Sequence, residues 1–95
     1  MTVNVHNIEQ QAPKIEFPCR YPIKVMGHAI DGFEQAVIDT VRRHAPEVQE
    51  QDVSSRPSAK GNYLSVTIVI EATGQEQLEI LFADLKRLTA VKLVL

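Results

Sequence analysis

Cysteine is almost missing from this chain: Cys19 is the single one in 95 residues. An intrachain disulfide is therefore excluded, and a reducing compartment is the natural setting. Nothing near Cys19 in sequence activates it as a nucleophile, so it reads as a buried or incidental thiol. Long apolar runs are missing too, and none approaches the roughly 20 residues that cross a bilayer as a helix. The start, MTVNVHNIEQQ, lacks the basic beginning and apolar block of a signal peptide. The expectation is a cytoplasmic protein with no membrane partner. Positive charge is in short supply, with 10 Lys+Arg against 12 Asp+Glu and a net charge of −2. That balance argues against nucleic acid and anionic membranes as partners.

Other absences bear on chemistry. A phosphate loop of the Walker type needs two glycines flanking four residues, then Lys and a hydroxyl residue. The stretch PSAKGNYLSV has one glycine, Gly61, and runs into a strand instead of a helix N-terminus. His6, His28 and His44 are scattered, no two of them at metal-site spacing, and no cysteine pair supports a metal. No cofactor is expected. The acids Glu47, Glu50, Asp52, Glu76, Glu79 and Asp84 show no spacing that singles out an acid/base pair, and no Ser-His-Asp set can be assembled. An acyl-phosphate-cleaving enzyme of this size would want an anion loop with an arginine after the first strand; VMGHAID supplies only the glycine. The chain is expected not to be an enzyme.

What remains is patterned. Residues 1–16 show no stable period and are interrupted by Pro13, so they read as a flexible or loosely docked tail before a single domain at 17–95. In YPIKVMGHA, Tyr21, Ile23 and Val25 alternate with Pro22, Lys24 and Met26, as in a half-buried strand that Gly27 ends or bulges. Ile30, Phe33, Val37, Ile38, Val41 and Ala45 then recur at helical spacing, with Asp31 and Glu34 placed as a capping box and Pro46 as the stop. The polar stretch EVQEQDVSSRPSA contains Pro57, which only an edge strand accepts.

After a Gly61-Asn62 turn, YLSVTIVIEAT alternates cleanly, with Leu64, Val66, Ile68, Ile70 and Ala72 on one face. Thr73 and Glu76 suit the start of a second helix whose stripe is Leu78, Leu81, Phe82, Leu85 and Leu88. The closing AVKLVL reads as an edge strand with Val91, Leu93 and Leu95 on one face, apolar enough to invite pairing with another chain. The order strand, helix, strand, strand, helix, strand leads to an α+β, ferredoxin-like βαββαβ sandwich: a four-stranded antiparallel sheet with both helices on one face.

Two local features point outward from this frame. His28 lies on a strand-to-helix loop where an anionic group could be received, although a surface histidine in a short connection is the simpler reading. Arg42, Arg43 and His44 fit the end of a helix, where the macrodipole favours positive charge. The open sheet face would offer Tyr63, Lys24 and Met26, with Lys60 nearby. RNA-reading domains of the same topology stack bases on aromatics of the two central strands. Here Leu64, Ser65 and Ile68 stand where those aromatics should recur, so RNA binding through the open face is the alternative reading.

The segments IEFPCRYPIKVMG, VRRHAP, PSAKGNYLSVTIVIEAT and VKLVL, in this order and spacing, resemble the YbeD-like family of small uncharacterised bacterial proteins. The resemblance runs from about Ile15 to the C-terminus. It implies a fold similar to ACT domains, the small ligand-binding regulatory domains of amino-acid metabolism enzymes. If the likeness extends to mechanism, it implies a homodimer and a small metabolite bound between first strand and first helix. On this chain that site is Gly27, His28 and Asp31, with Lys24 or Lys60 as charge partners, and Tyr63 and Lys60 within a family phrase. The expected function is a non-catalytic regulatory or adaptor module that self-associates and binds a small metabolite or a protein partner.

Overall fold

A computed structural model describes residues 16–95. The tail assigned to residues 1–16 falls, apart from Glu16, outside the described residues. The elements are β1 (Cys19–His28), α1 (Phe33–His44), a short 3-10 turn (Glu50–Asp52), β2 (Val53–Pro57), β3 (Tyr63–Ala72), α2 (Gln75–Lys86) and β4 (Val91–Val94). The strands form one sheet in the order β2-β3-β1-β4, every neighbouring pair antiparallel. This is the βαββαβ sandwich expected from the periodicities.

Alternation dictates which side of the sheet the helices cover. Val66, Ile68, Ile70 and Ala72 of β3 and Ile23 and Val25 of β1 are buried, and they meet Phe33, Val37 and Val41 of α1 and Leu78, Leu81 and Leu85 of α2. The intervening residues face away from the helices and leave the other side of the sheet open. Pro57 sits at the end of the edge strand β2, opposite Leu64, where its missing N–H costs no central ladder bond.

Four local expectations need correction. Ile30 is 60% exposed, because the chain before α1 turns through Gly32 at φ 83° and the helix begins only at Phe33. Asp31 consequently makes no capping bond; Gly32 occupies the N-cap position and its carbonyl accepts from the Ala36 N–H at 2.9 Å. Thr73 is likewise one residue too early: Gly74 is the N-cap of α2, and the Thr73 N–H donates to the Gln77 Oε1 at 2.8 Å. The β2–β3 link is longer than a two-residue turn. The Ser58 N–H donates to the Tyr63 carbonyl, the Gly61 N–H to the Ser58 carbonyl, each at 2.9 Å, and Gly61 takes φ 77°.

The fourth correction concerns β4. Val94 pairs with Val25, Leu93 with Met26 and Val91 with Gly27, so the register slips between Met26 and Gly27 and Lys92 is the extra residue. A bulge of this kind reverses the phase of the strand. Val91 and Val94 pack against the core, whereas Leu93, opposite Met26, and Leu95, opposite Lys24, stand exposed. Gly27 thus marks the bulge but does not end its strand.

The two helices are tied at one end by a hydrogen-bonded contact between residues 40 positions apart. The ring Nε2 of His44 and Oδ2 of Asp84 lie 2.5 Å apart, and the Gln77 amide donates to the His44 carbonyl at 2.9 Å. The hydrogen bond to His44, reinforced by the charges of His44, Arg87 and Arg43, holds the Asp84 carboxyl below the usual aspartate value of 3.8. A carboxyl more acidic in the folded chain contributes stability in full above its unfolded pKa and loses it as pH falls through its folded value. Acid titration of stability should therefore show a fall below about pH 4 that Asp84→Asn makes smaller. Identical acid limbs for the two proteins would disprove the contribution.

Candidate functional site

The pleat that directs the apolar side chains toward the helices sends a second set onto the open face. Reading across β1, β3 and β2, Lys24, Thr67 and Ser54 form one row and Met26, Ser65 and Arg56 the next. His28 and Tyr63 form the end row, with ring centroids 5.4 Å apart and planes tilted by 32°. On the β4 side Met26 faces Leu93, and Lys24 exchanges backbone hydrogen bonds with Leu95 at 3.1 and 2.8 Å. Among the described residues, four of the six large apolar side chains that stay exposed, Met26, Tyr63, Leu93 and Leu95, lie on this face.

Two shallow hollows adjoin each other here. One, of 350 Å³, is lined by Lys24, Ser54, Ser55, Arg56, Ser65 and Thr67. The other, of 270 Å³, is lined by Met26, Pro57, Ser58, Tyr63 and Leu64 and shares Arg56 and Ser65 with the first. The first offers cations and hydroxyls; the second offers apolar side chains.

The structure brings some of the sequence-derived site residues together and separates others. His28 and Tyr63 are in contact. The loop carrying Lys60 reaches the β1–α1 connection, where the Ala29 N–H donates to the Asn62 carbonyl at 3.0 Å. Asp31 is exposed in that same connection. Lys24 is on the open face but two rows from His28, nearer to Arg56 than to the loop. Gly27 points to the helix side, and the space a side chain would take there holds the Phe33 ring and the Ala90 carbonyl. The sequence alone does not single out Arg56. A lone arginine on a polar strand reads as edge solubility until the register sets it near Lys24.

Among the described residues no three His, Cys, Asp or Glu side chains gather as a metal site. No described helix is long and apolar enough to cross a membrane.

Comparison with known proteins agrees with this architecture. Residues 12–95 match the family described as "Protein of unknown function (DUF493)". A UPF0250 protein of Neisseria gonorrhoeae is 47% identical over 87 residues, covering 92% of this chain and 96% of that one. A UPF0250 protein of Azotobacter vinelandii is 49% identical over 86 residues, covering 90% and 94%. Among solved structures, the ACT domain of a GTP pyrophosphokinase of Chlorobium tepidum superposes with a TM-score of 0.63 at 14% identity, over 81% of this chain and 97% of that one. Protein HP0495 of H. pylori gives 0.65 at 17% identity, over 92% and 91%. These two likenesses establish an ACT-like fold and carry nothing about ligands. With a match spanning all the described residues and relatives at almost half identity, the chain belongs to the DUF493 family, the YbeD-like UPF0250 proteins of bacteria.

Proposed function

We propose that this protein is a non-catalytic cytoplasmic regulatory or adaptor module that pairs with a second copy along β4 and takes a small metabolite. The observation that carries the reading is the strip at the β4 edge. The outer side of β4 has no partner strand among the described residues, and Leu93 and Leu95, 45% and 59% exposed, stand opposite Met26 and Lys24 next to that bare edge. An apolar edge of this kind is a template for another chain. Specific interfaces bury roughly 1,200–2,000 Å² in total, more than backbone pairing of so short a strand provides. The adjoining leucines supply the additional apolar area, and a second copy brings the same strip.

Light scattering on the purified chain tests the pairing. The wild type is expected to be a dimer at micromolar concentration and Leu93→Lys a folded monomer. With about half of Leu93 left to bury on pairing, its loss forfeits about 0.7–1.5 kcal/mol per copy, which over two copies is about tenfold or more in the dissociation constant. A wild type that stays monomeric would refute the self-association.

A further inference from the structure

The polar hollow on the open face has an electrostatic character opposite to that of the whole chain. The net charge is −2, yet this hollow is lined by two cations and no carboxylate. Among the described residues the ion pairs are Arg20–Asp52, His44–Asp84 and Arg87–Asp84, so neither Lys24 nor Arg56 has an acidic partner. Antiparallel strands stand about 4.8 Å apart and rise about 6.8 Å over two residues, which puts the Lys24 and Arg56 backbones at opposite corners of a patch about 12 Å across. Each of these long side chains spans about half of that distance. They can therefore converge above Ser65 and Thr67 at its centre, with the Ser54 hydroxyl alongside.

We propose that this hollow is an oxyanion site, taking a carboxylate or phosphate monoester whose apolar body lies over Met26 and Tyr63. Arginine offers two parallel donors matched to an oxyanion, lysine offers a point charge, and the hydroxyls complete the shell. The ligand's direction follows from the second hollow. It is apolar, lined by Met26, Pro57 and Tyr63, and continuous with the first through Arg56 and Ser65. An anion with an apolar end satisfies both, whereas a bare inorganic ion leaves half of the surface unused. A nucleic-acid strand fits less well. The face's two rings, His28 and Tyr63, pack against one another at a tilt at one end, and the paired cations suit one oxyanion rather than a line of phosphates. This inference rests on the metabolite half of the proposed function and is independent of the self-association.

Amide chemical-shift titrations of the full chain with phenyl phosphate, benzoate and inorganic phosphate test it. Phenyl phosphate or benzoate should move the amides of Ser54, Arg56, Ser65 and Thr67, and whichever binds tighter identifies the anion class. Inorganic phosphate should bind about tenfold more weakly, having no apolar body to bury. Lys24→Gln and Arg56→Gln should each weaken the better probe about tenfold, while Lys60→Gln leaves it unchanged. Shifts confined to residues 28–31 and 58–62 would overturn this placement and leave the metabolite reading standing. No shift with millimolar amounts of any probe would overturn the site, while light scattering judges self-association separately. Tighter binding of an oligouridylate, with shifts along the whole of β1 and β3, would overturn it in favour of a nucleic-acid surface.

Discussion

Gly27→Ala is expected to lower the unfolding free energy by about 3 kcal/mol, at the upper end of what overpacking costs. A Cβ at this position would lie 2.4 Å from the Ala90 carbonyl oxygen and 2.6 and 2.7 Å from the Cζ and Cε1 atoms of Phe33. Neither neighbour yields easily. The Ala90 carbonyl accepts from the His28 N–H at 2.9 Å, so moving it pulls on the bond that docks the chain entering β4 against β1. Phe33 is 3% exposed and sits at the first turn of α1, enclosed by the core. For a domain of this length, 3 kcal/mol corresponds to a fall of roughly 12–24 °C in Tm.

A double-mutant cycle separates the two contacts. Phe33→Leu removes the ring atoms and should cost about 1 kcal/mol alone, within the range for hydrophobic swaps. Combined with Gly27→Ala it should recover about 1 kcal/mol relative to additivity, since contacting residues couple on that scale. The remainder belongs to the carbonyl. An additive cycle with a loss below 1 kcal/mol would mean that the bulge can shift to admit the methyl group.

Much of the architecture was legible in the sequence, for reasons visible in particular elements. β3 declares itself because four buried residues, Val66, Ile68, Ile70 and Ala72, alternate without interruption. β2 declares itself as an edge through Pro57 and its run of polar residues, and both helices through their apolar stripes. The illegible features depend on one inserted residue or on contacts distant in sequence. Lys92 looks like any other residue of AVKLVL, yet as the extra residue of the bulge it turns Leu93 and Leu95 onto the open face. Asp31 and Glu34 satisfy the capping-box spacing, but Gly32 adopts the positive φ that starts the helix one residue later. His44 and Asp84 meet only because α1 and α2 pack side by side. The hollow around Lys24 and Arg56 exists only once β1, β3 and β2 are in register.

Ile68→Ala should be the most damaging truncation in the sheet, at about 4 kcal/mol within the 2–5 kcal/mol typical of buried isoleucine. Ile68 is fully buried, pairs with Ile23 on β1 and Val53 on β2, and occupies the middle of the longest alternating run. The surrounding β-branched side chains are stiff about χ1, so they close the resulting cavity poorly. Domains of this size are stable by roughly 5–14 kcal/mol, so the variant should unfold at a much lower urea concentration. Met26→Ala provides the contrast. Met26 belongs to the same sheet and faces the other side, 36% exposed, so its truncation should cost less than about 1 kcal/mol. Ile68→Val keeps the branch and should cost about 1 kcal/mol. Urea unfolding with unchanged m-values measures all three, and equal losses for Ile68→Ala and Met26→Ala would contradict the assignment of the two faces. The expected gap also places the stability of the domain on the helix side, which leaves Lys24, Arg56 and Leu93 open to substitution with the fold intact.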